Sequence, residues 1–291
     1  MSGNPVEPIF DLELATARKL RAQRMAAAGA DFLMRRAADD LAERLGAVGR
    51  RFGNAVALHC GTPAAREVLA ASGKVGATER VEADAALLAG EDGRVAPPET
   101  VPFEPESLDL AVSLYGLHEV NDVPGMLVQI RRALRPDGLF LGCMAGAGTL
   151  AELREALLAA ETELTGGASP RVAPLADVRD VGGLLQRARF ALPVADHETV
   201  TVRYDSMFAL MRDLRAMGAT SSLVARSRRP TPRRLFLRAA EIYAERFSDP
   251  DGRVRATFST IWMSGWAPHA SQQKPARPGS ATVSLAKVLG S

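Results

Sequence analysis

Apolar and polar positions alternate between two periods along this chain. Leu33, Ala37, Leu41 and Leu45 recur at the spacing of one helix face, inside an Ala-, Leu- and Arg-rich stretch from Glu13 to Val48, which predicts one or two leading helices. Short apolar runs then follow: Asn54 to Cys60 predicts a first strand, Pro63 to Ala71 a helix, Arg80 to Ala83 a short second strand, and Gly90 to Pro102 a loop. The stretch from Ser107 to Leu114 reads as a buried strand. Beyond it Met126, Leu127, Ile130 and Leu134 share one helix face, and the turn Arg135-Pro136-Asp137-Gly138 leads into the apolar run Leu139 to Met144. Strand, helix, turn, strand is a βαβ unit, which places a ligand crevice at its strand ends.

The second half continues the pattern. Thr149 to Leu164 and Val178 to Arg189 predict helices, and Val194 to Tyr204 predicts a strand. Val254 to Trp266 predicts a long strand, apolar enough on both faces to be buried twice over. Between those two strands, Ser206 to Met217 and Pro232 to Phe247 are amphipathic helices, either a lid over the crevice or a packing extension. The division expected is a helical segment at 1–48, an α/β domain at 49–204 and 251–271, a helical insertion at 205–250, and an extended tail at 272–291.

Around the central unit the residues resemble the class I methyltransferases that use S-adenosylmethionine. Asp109 to Val112 stands at the opening of their fourth strand, and Pro136-Asp137-Gly138 before their fifth. Leu117-His118-x-Val120-Asn121-Asp122, Pro136-Asp137-Gly138-x-Phe140-x-Gly142 and Thr149-Leu150-x-Glu152-Leu153-Arg154 sharpen this. Together with Phe10-Asp11, Ala160 to Glu163, Gly167-x-Ser169-Pro170, Met207 to Leu214, Met217-Gly218, Gly265-Trp266 and Arg277 to Ser284, they resemble the methyltransferase-like assembly factors of respiratory complex I. That resemblance implies an α/β, Rossmann-like sheet with an antiparallel strand beside the fifth. It also implies a protein substrate in complex I, and hydroxylation of an arginine in one of its subunits.

Methyl-donor binding needs a close turn after the first strand, where glycines admit the ligand and free N–H groups meet its carboxylate. The family pattern resembles D-x-G-x-G-x-G. Here Ala57-Leu58-His59-Cys60-Gly61-Thr62-Pro63 keeps only Gly61 as glycine, with Ala57 at the acid and His59 and Pro63 at glycine positions. The S-adenosylmethionine site is therefore weakened, or lost, and Thr62 and Pro63 can serve instead as helix N-cap and first helical residue. His59, Cys60, Gly61 and Leu114 are the expected cofactor contacts, with Asp84, or Glu82 in another register, for the ribose hydroxyls. Pro97 stands where the family has an acid near the adenine.

His118, after the fourth strand, is the candidate proton-transfer residue, with Tyr115 one turn earlier. The alternative for His118 is a bond to a backbone carbonyl that fixes the Asn121-Asp122 turn. Asp84, Glu119, Asp122 and Tyr115 are candidate partners for a substrate guanidinium. His59, His118 and His269 could approach a metal, though their spacing demands none, and no metal is expected. Asp137 is a turn residue.

Composition narrows the partners. The chain has 291 residues, 36 basic against 34 acidic, for a net charge of +2, so nucleic acid is not expected. Arg226 to Arg234 is the one basic cluster that could meet an acidic partner, unless it is a solvated loop. No apolar run reaches the roughly 18 residues of a membrane span, so no transmembrane segment is expected. Cys60 and Cys143 fit a reducing compartment, and the expected location is a bacterial cytoplasm, reaching the inner face of the membrane through the partner. Three functions stand: a complex I assembly enzyme acting on a protein subunit, an O-methyltransferase acting on a small or carrier-bound acid, and a non-catalytic binding module with a degenerate cofactor loop.

Overall fold

The computed structural model describes residues 7–273. Two helices, α1 (Leu12–Met25) and α2 (Phe32–Ala47), precede β1 (Phe52–Leu58), α3 (Ala64–Ala71), β2 (Val75–Glu82), β3 (Gly93–Val95), β4 (Leu108–Leu114), α4 (Val123–Ala133) and β5 (Leu134–Ala145). The chain continues through α5 (Ala151–Thr165), α6 (Val178–Arg187), β6 (Ala191–Tyr204), α7 (Met207–Ala216), α8 (Arg233–Phe247) and β7 (Val254–Trp266). The seven strands lie in the order β3-β2-β1-β4-β5-β7-β6. All neighbouring pairs from β3 to β5 are parallel, and β7 runs antiparallel to both β5 and β6.

The expected architecture is therefore present, including the antiparallel strand beside the fifth. Strand order reverses between β1 and β4, so the crevice opens where their C-terminal ends part, the place such sheets bind ligands. Local chemistry supports each crossover. Asp122 caps α4 by accepting the Gly125 N–H at 2.7 Å, and Pro124 fits the first turn, where a missing N–H costs nothing. Asp137 takes φ +66° in the turn before the apolar part of β5, a conformation Asp tolerates better than most side chains.

Helices cover both sheet faces. Val56, Leu58, Phe140 and Met263 pack under α4 and α6, whereas Ala55, Leu110, Cys143 and Trp262 pack under α2 and α3. A separate apolar cluster joins α5, α7 and α8 to the first half of β7 through Leu157, Leu210, Tyr243 and Phe258. The helices of the insertion thus pack on α5 and on the sheet's end. α7 and the segment between the two helices, around 218–226, also reach α1.

Several boundaries shift from the sequence reading. β2 is a full strand from Val75 because its polar residues pair in register with β1, Phe52 opposite Val75 through Leu58 opposite Val81. The expected loop after Gly90 contains the short edge strand β3. α3 begins at Ala64 with Pro63 in the cap position, and the Thr62 hydroxyl makes no capping bond. The tail expected from Gln272, with Arg277 to Ser284, lies beyond residue 273 outside the described residues.

Candidate active site: a crevice closed by the first helix

The floor of the crevice is backbone. At the end of β4, Gly116 passes so close to β1 that an added Cβ would meet the His59 and Leu58 carbonyls at 3.0 and 3.1 Å. Ser113 seals the seam by donating its hydroxyl to the Leu58 carbonyl at 3.0 Å. At the end of β1 the chain turns through His59 at φ +50° and Gly61 at φ +70°. Glycine meets that demand freely at position 61, whereas histidine holds it at position 59 against the preference of a side chain with a Cβ.

His59 points inward. It is 7% exposed, its Nε2–H donates to the Thr100 carbonyl at 3.3 Å, and its Nδ1 has no partner. Burial lowers its pKa to about 4, so the ring is neutral near pH 7 and Nδ1 is a bare acceptor. Cys60 is packed: its Sγ accepts the Leu114 N–H at 3.3 Å, and burial pushes the thiol up to about 12. It is a thiol without thiolate character. Leu114 likewise contributes backbone to the seam between β1 and β4.

The acidic group facing this turn is Glu82, the last residue of β2. Its carboxylate accepts the Gly61 N–H at 3.0 and 3.2 Å and is held from behind by Arg80 at 3.0 Å. Arg80 and Glu82 are 0% and 1% exposed, and Arg80 also donates to the Leu87 and Leu88 carbonyls and to Glu91. Burial raises the Glu82 pKa, opposed by the Arg80 charge. Asp84, the first expectation for the ribose contact, turns away and caps the 3-10 turn at Ala85–Leu88 through the Ala86 N–H at 2.8 Å. The alternative register, Glu82, is the one that lines the crevice.

The roof is α1. Leu12, Ala15, Thr16 and Lys19 face the opening, opposite His59, Glu82, Pro98, Gly116 and Glu119, and the space left between them is a cavity of about 20 Å³. Lys19 Nζ lies 3.5 Å from the Glu119 carboxylate, whose side chain is 15% exposed. Desolvation would raise the Glu119 pKa, but Lys19, His118 and the Ser222 hydroxyl together hold it below the usual carboxylate value. Leu12, Ala15, Thr16 and Lys19 share one helix face, a spacing that sequence could have shown, with Ala15 buried and the other three half-buried.

The remaining candidates do not converge on one point. His118 sits beside Tyr115 edge-on, centroids 6.0 Å apart, and burial lowers its pKa while Glu119 opposes. Its Nδ1 has no partner, and it does not fix the following turn: the Glu99 carboxylate does, accepting the Asn121 and Asp122 N–H groups. Tyr115, at φ +52°, sends its hydroxyl to Thr260 Oγ1 at 2.7 Å, and burial raises its pKa. His269 bonds Ser271 beside the β7 exit, apart from His59 and His118. Among the described residues, no three His, Cys, Asp or Glu side chains gather as a metal site. Arg226 of the basic cluster is already engaged with Asp11 and the Leu223 carbonyl.

The donor set suits S-adenosylmethionine. A carboxylate ends β2 for ribose hydroxyls, the Gly61 N–H faces the turn for an anionic group, and the orphaned His59 Nδ1 offers an acceptor. Volume is what falls short, since small-molecule pockets run to about 300–1,000 Å³ and this cavity is about 20 Å³.

Residues 57–142 match the family described as "Methyltransferase domain". The chain is 44% identical over 194 residues to "Arginine-hydroxylase NDUFAF5, mitochondrial" of Homo sapiens, a match covering 67% of this chain and 56% of that protein. It is 36% identical over 169 residues to the "Malonyl-[acyl-carrier protein] O-methyltransferase" of Xylella fastidiosa, covering 58% of this chain and 55% of the other. The chain thus spans about half the length of the curated relatives it matches. A putative methyltransferase from Bacillus halodurans shares the fold, with a TM-score of 0.54 at 13% identity over 79% of this chain and 98% of that one. Sheet order, a crevice at its reversal and the match over 57–142 make this a class I methyltransferase fold, in a chain similar over two thirds of its length to the arginine hydroxylases.

Proposed function

We propose that this protein is an assembly enzyme for respiratory complex I that hydroxylates an arginine of one of its subunits. The observation that supports the reading most is the 44% identity to the human arginine hydroxylase, extending over 194 residues and so well beyond the methyltransferase domain at 57–142. In this reading Glu82 and Gly61 hold the ribose and amino-acid ends of S-adenosylmethionine, and His59 Nδ1 accepts a ligand donor. When bound, the cofactor would supply a sulfonium-activated methyl carbon, which the methylation reading below would use and hydroxylation would not.

The chain's own residues supply position and a dry environment. Hydroxylation replaces a C–H bond by C–OH, a two-electron oxidation; in this reading molecular oxygen would supply the atom, its second oxygen leaving as water with two electrons and two protons from a co-reductant. His118, with its pKa lowered by burial, is neutral at pH 7 and exchanges a proton through Nδ1; Tyr115 orients the aromatic wall beside it. Glu119 is the acid placed to receive a guanidinium, its present partners being Lys19 of α1 and the Ser222 hydroxyl. Asp84 and Asp122 are committed to caps and take no part.

The same reading places the protein in the bacterial cytoplasm, drawn to the inner face of the membrane by its partner. No helix among the described residues is long and apolar enough to cross a membrane. A second reading, methylation of a carrier-bound acid, draws on the likeness to the malonyl-carrier O-methyltransferase. Deleting the gene tests the choice: failure of complex I to reach full size on native gels supports the first, and normal assembly with altered carrier-acid methylation supports the second.

A further inference from the structure

We infer that α1 is an internal plug of the cofactor crevice, with the Lys19 ammonium taking the place of a ligand cation, and that ligand binds only when α1 lifts. The inference rests on the cofactor reading above and concerns what controls that site. Two independent observations carry it. First, the cavity left at the sheet's switch point is about 20 Å³, and one whole side of it is a single helix, through Leu12, Ala15, Thr16 and Lys19. Second, the buried His59 Nδ1, at 7% exposure, faces this crevice without a partner, although its ring is otherwise bonded. A site built only for packing has no need of a bare acceptor there.

Lys19 supplies the charge that the crevice otherwise requires from a ligand. It pairs with Glu119, whose carboxyl is held below the usual range, and its charge opposes the upward push that burial gives Glu82. S-adenosylmethionine carries an amino and a sulfonium cation, so in this crevice it meets the Lys19 ammonium as a like charge, while its neutral ribose hydroxyls go to Glu82.

α1 is latched by polar contacts that can be exchanged one by one. Asn121 Oδ1 accepts the Ile9 and Phe10 N–H groups, both at 2.8 Å, just before the helix. Arg18 donates to the Thr220 carbonyl at 2.7 Å, Arg226 reaches Asp11 at 3.2 Å, and Phe10 bridges to Leu223. At the other end α1 stops at Ala26 in the left-handed conformation, with Gly29 at φ +78° before α2, a short pivot. Ala15 is the one fully buried residue of α1, and Leu12, Leu14 and Leu20 are half-buried, so partial apolar contact as well as these polar bonds holds the helix.

A plug lowers apparent affinity by the fraction of molecules that are open: if about 1% are open, binding weakens about 100-fold. Calorimetry of S-adenosylmethionine with the full chain, paired with hydrogen exchange of α1 amides, tests this in wild type, Lys19→Met and Asn121→Ala. Asn121→Ala leaves the crevice lining intact and loosens only the latch. The expected result is at least tenfold tighter binding in both variants, and faster exchange of α1 amides when ligand is added. Adenosine, which lacks the cationic end, should gain from Asn121→Ala and hardly from Lys19→Met. Equal affinity in all three proteins overturns the plug and leaves the cofactor reading standing. Binding in none of them, with α1 visibly released in Asn121→Ala, overturns the cofactor reading and the plug with it.

Discussion

Glu82 and Gly61 meet across the mouth of the crevice, the carboxylate of one accepting the backbone N–H of the other at 3.0 and 3.2 Å. Each is a group that a nucleoside cofactor would take, and in the closed protein they satisfy each other. Satisfied in this way, neither the Glu82 carboxylate nor the Gly61 N–H is left without a partner when no ligand is there, whereas the nearby His59 Nδ1 is.

Arg80 makes this possible, since Glu82 would otherwise be a lone buried acid. Arg80→Met should lower stability in urea unfolding by about 3–5 kcal/mol, the cost of stranding one member of a buried pair. Adding Glu82→Gln to it should recover more than half of the loss. If the single variant loses under about 1 kcal/mol, the pair is not what holds Glu82 in place.

His59 gives stability an acid limb. Its folded pKa of about 4 lies below the ordinary 6.5, so on acidification the unfolded chain takes up the proton first. The contribution is complete above about pH 7.5 and is lost as pH falls from 6.5 towards 4, amounting to about 2 kcal/mol by pH 5. His59→Asn keeps a residue that tolerates the left-handed turn and removes the titration. Unfolding free energies measured between pH 8 and 5 should fall less steeply in the variant, by about that amount, and parallel curves would exclude His59 as the source.

Tyr115 and Thr260 tie β4 to β7 through one hydrogen bond of 2.7 Å. Tyr115→Phe and Thr260→Val should each cost about 1 kcal/mol, and the double variant little more than either alone, because both remove the same bond. Additive losses in that cycle would mean the hydroxyls act separately. Loss of modification in Tyr115→Phe beyond the loss in Thr260→Val would mark the phenol as a participant in the reaction.

How much of this was written in the sequence depends on whether the deciding interaction was local. The unit from β4 through α4 to β5 was legible because its strands are apolar, its helix has one apolar face, and Asp122 and Asp137 punctuate it where capping and turning need them. Glu82 and Asp84 could not be separated from sequence: the choice lies in where β2 stops, which is set by pairing of Val81 with Leu58 and of Glu82 with Val95. The loss of glycines after β1 was visible, but its consequence was not. His59 keeps the turn in left-handed geometry and inserts a ring, so the loop is preserved in path and altered in lining. The insertion was expected as a lid or a packing extension; its two helices pack on α5 and the end of the sheet while α1 lines the crevice, because which surface a helix face meets is decided by the whole packing and not by its own period.

The most direct test of the account is mass spectrometry of complex I subunits from a strain lacking this gene, complemented with the wild-type chain or with Glu82→Gln. The account predicts an arginine carrying one added oxygen in the wild-type complement, absent from the deletion strain and from the Glu82→Gln complement. The same oxidised arginine persisting in the deletion strain, or its absence from the wild-type complement, would contradict it.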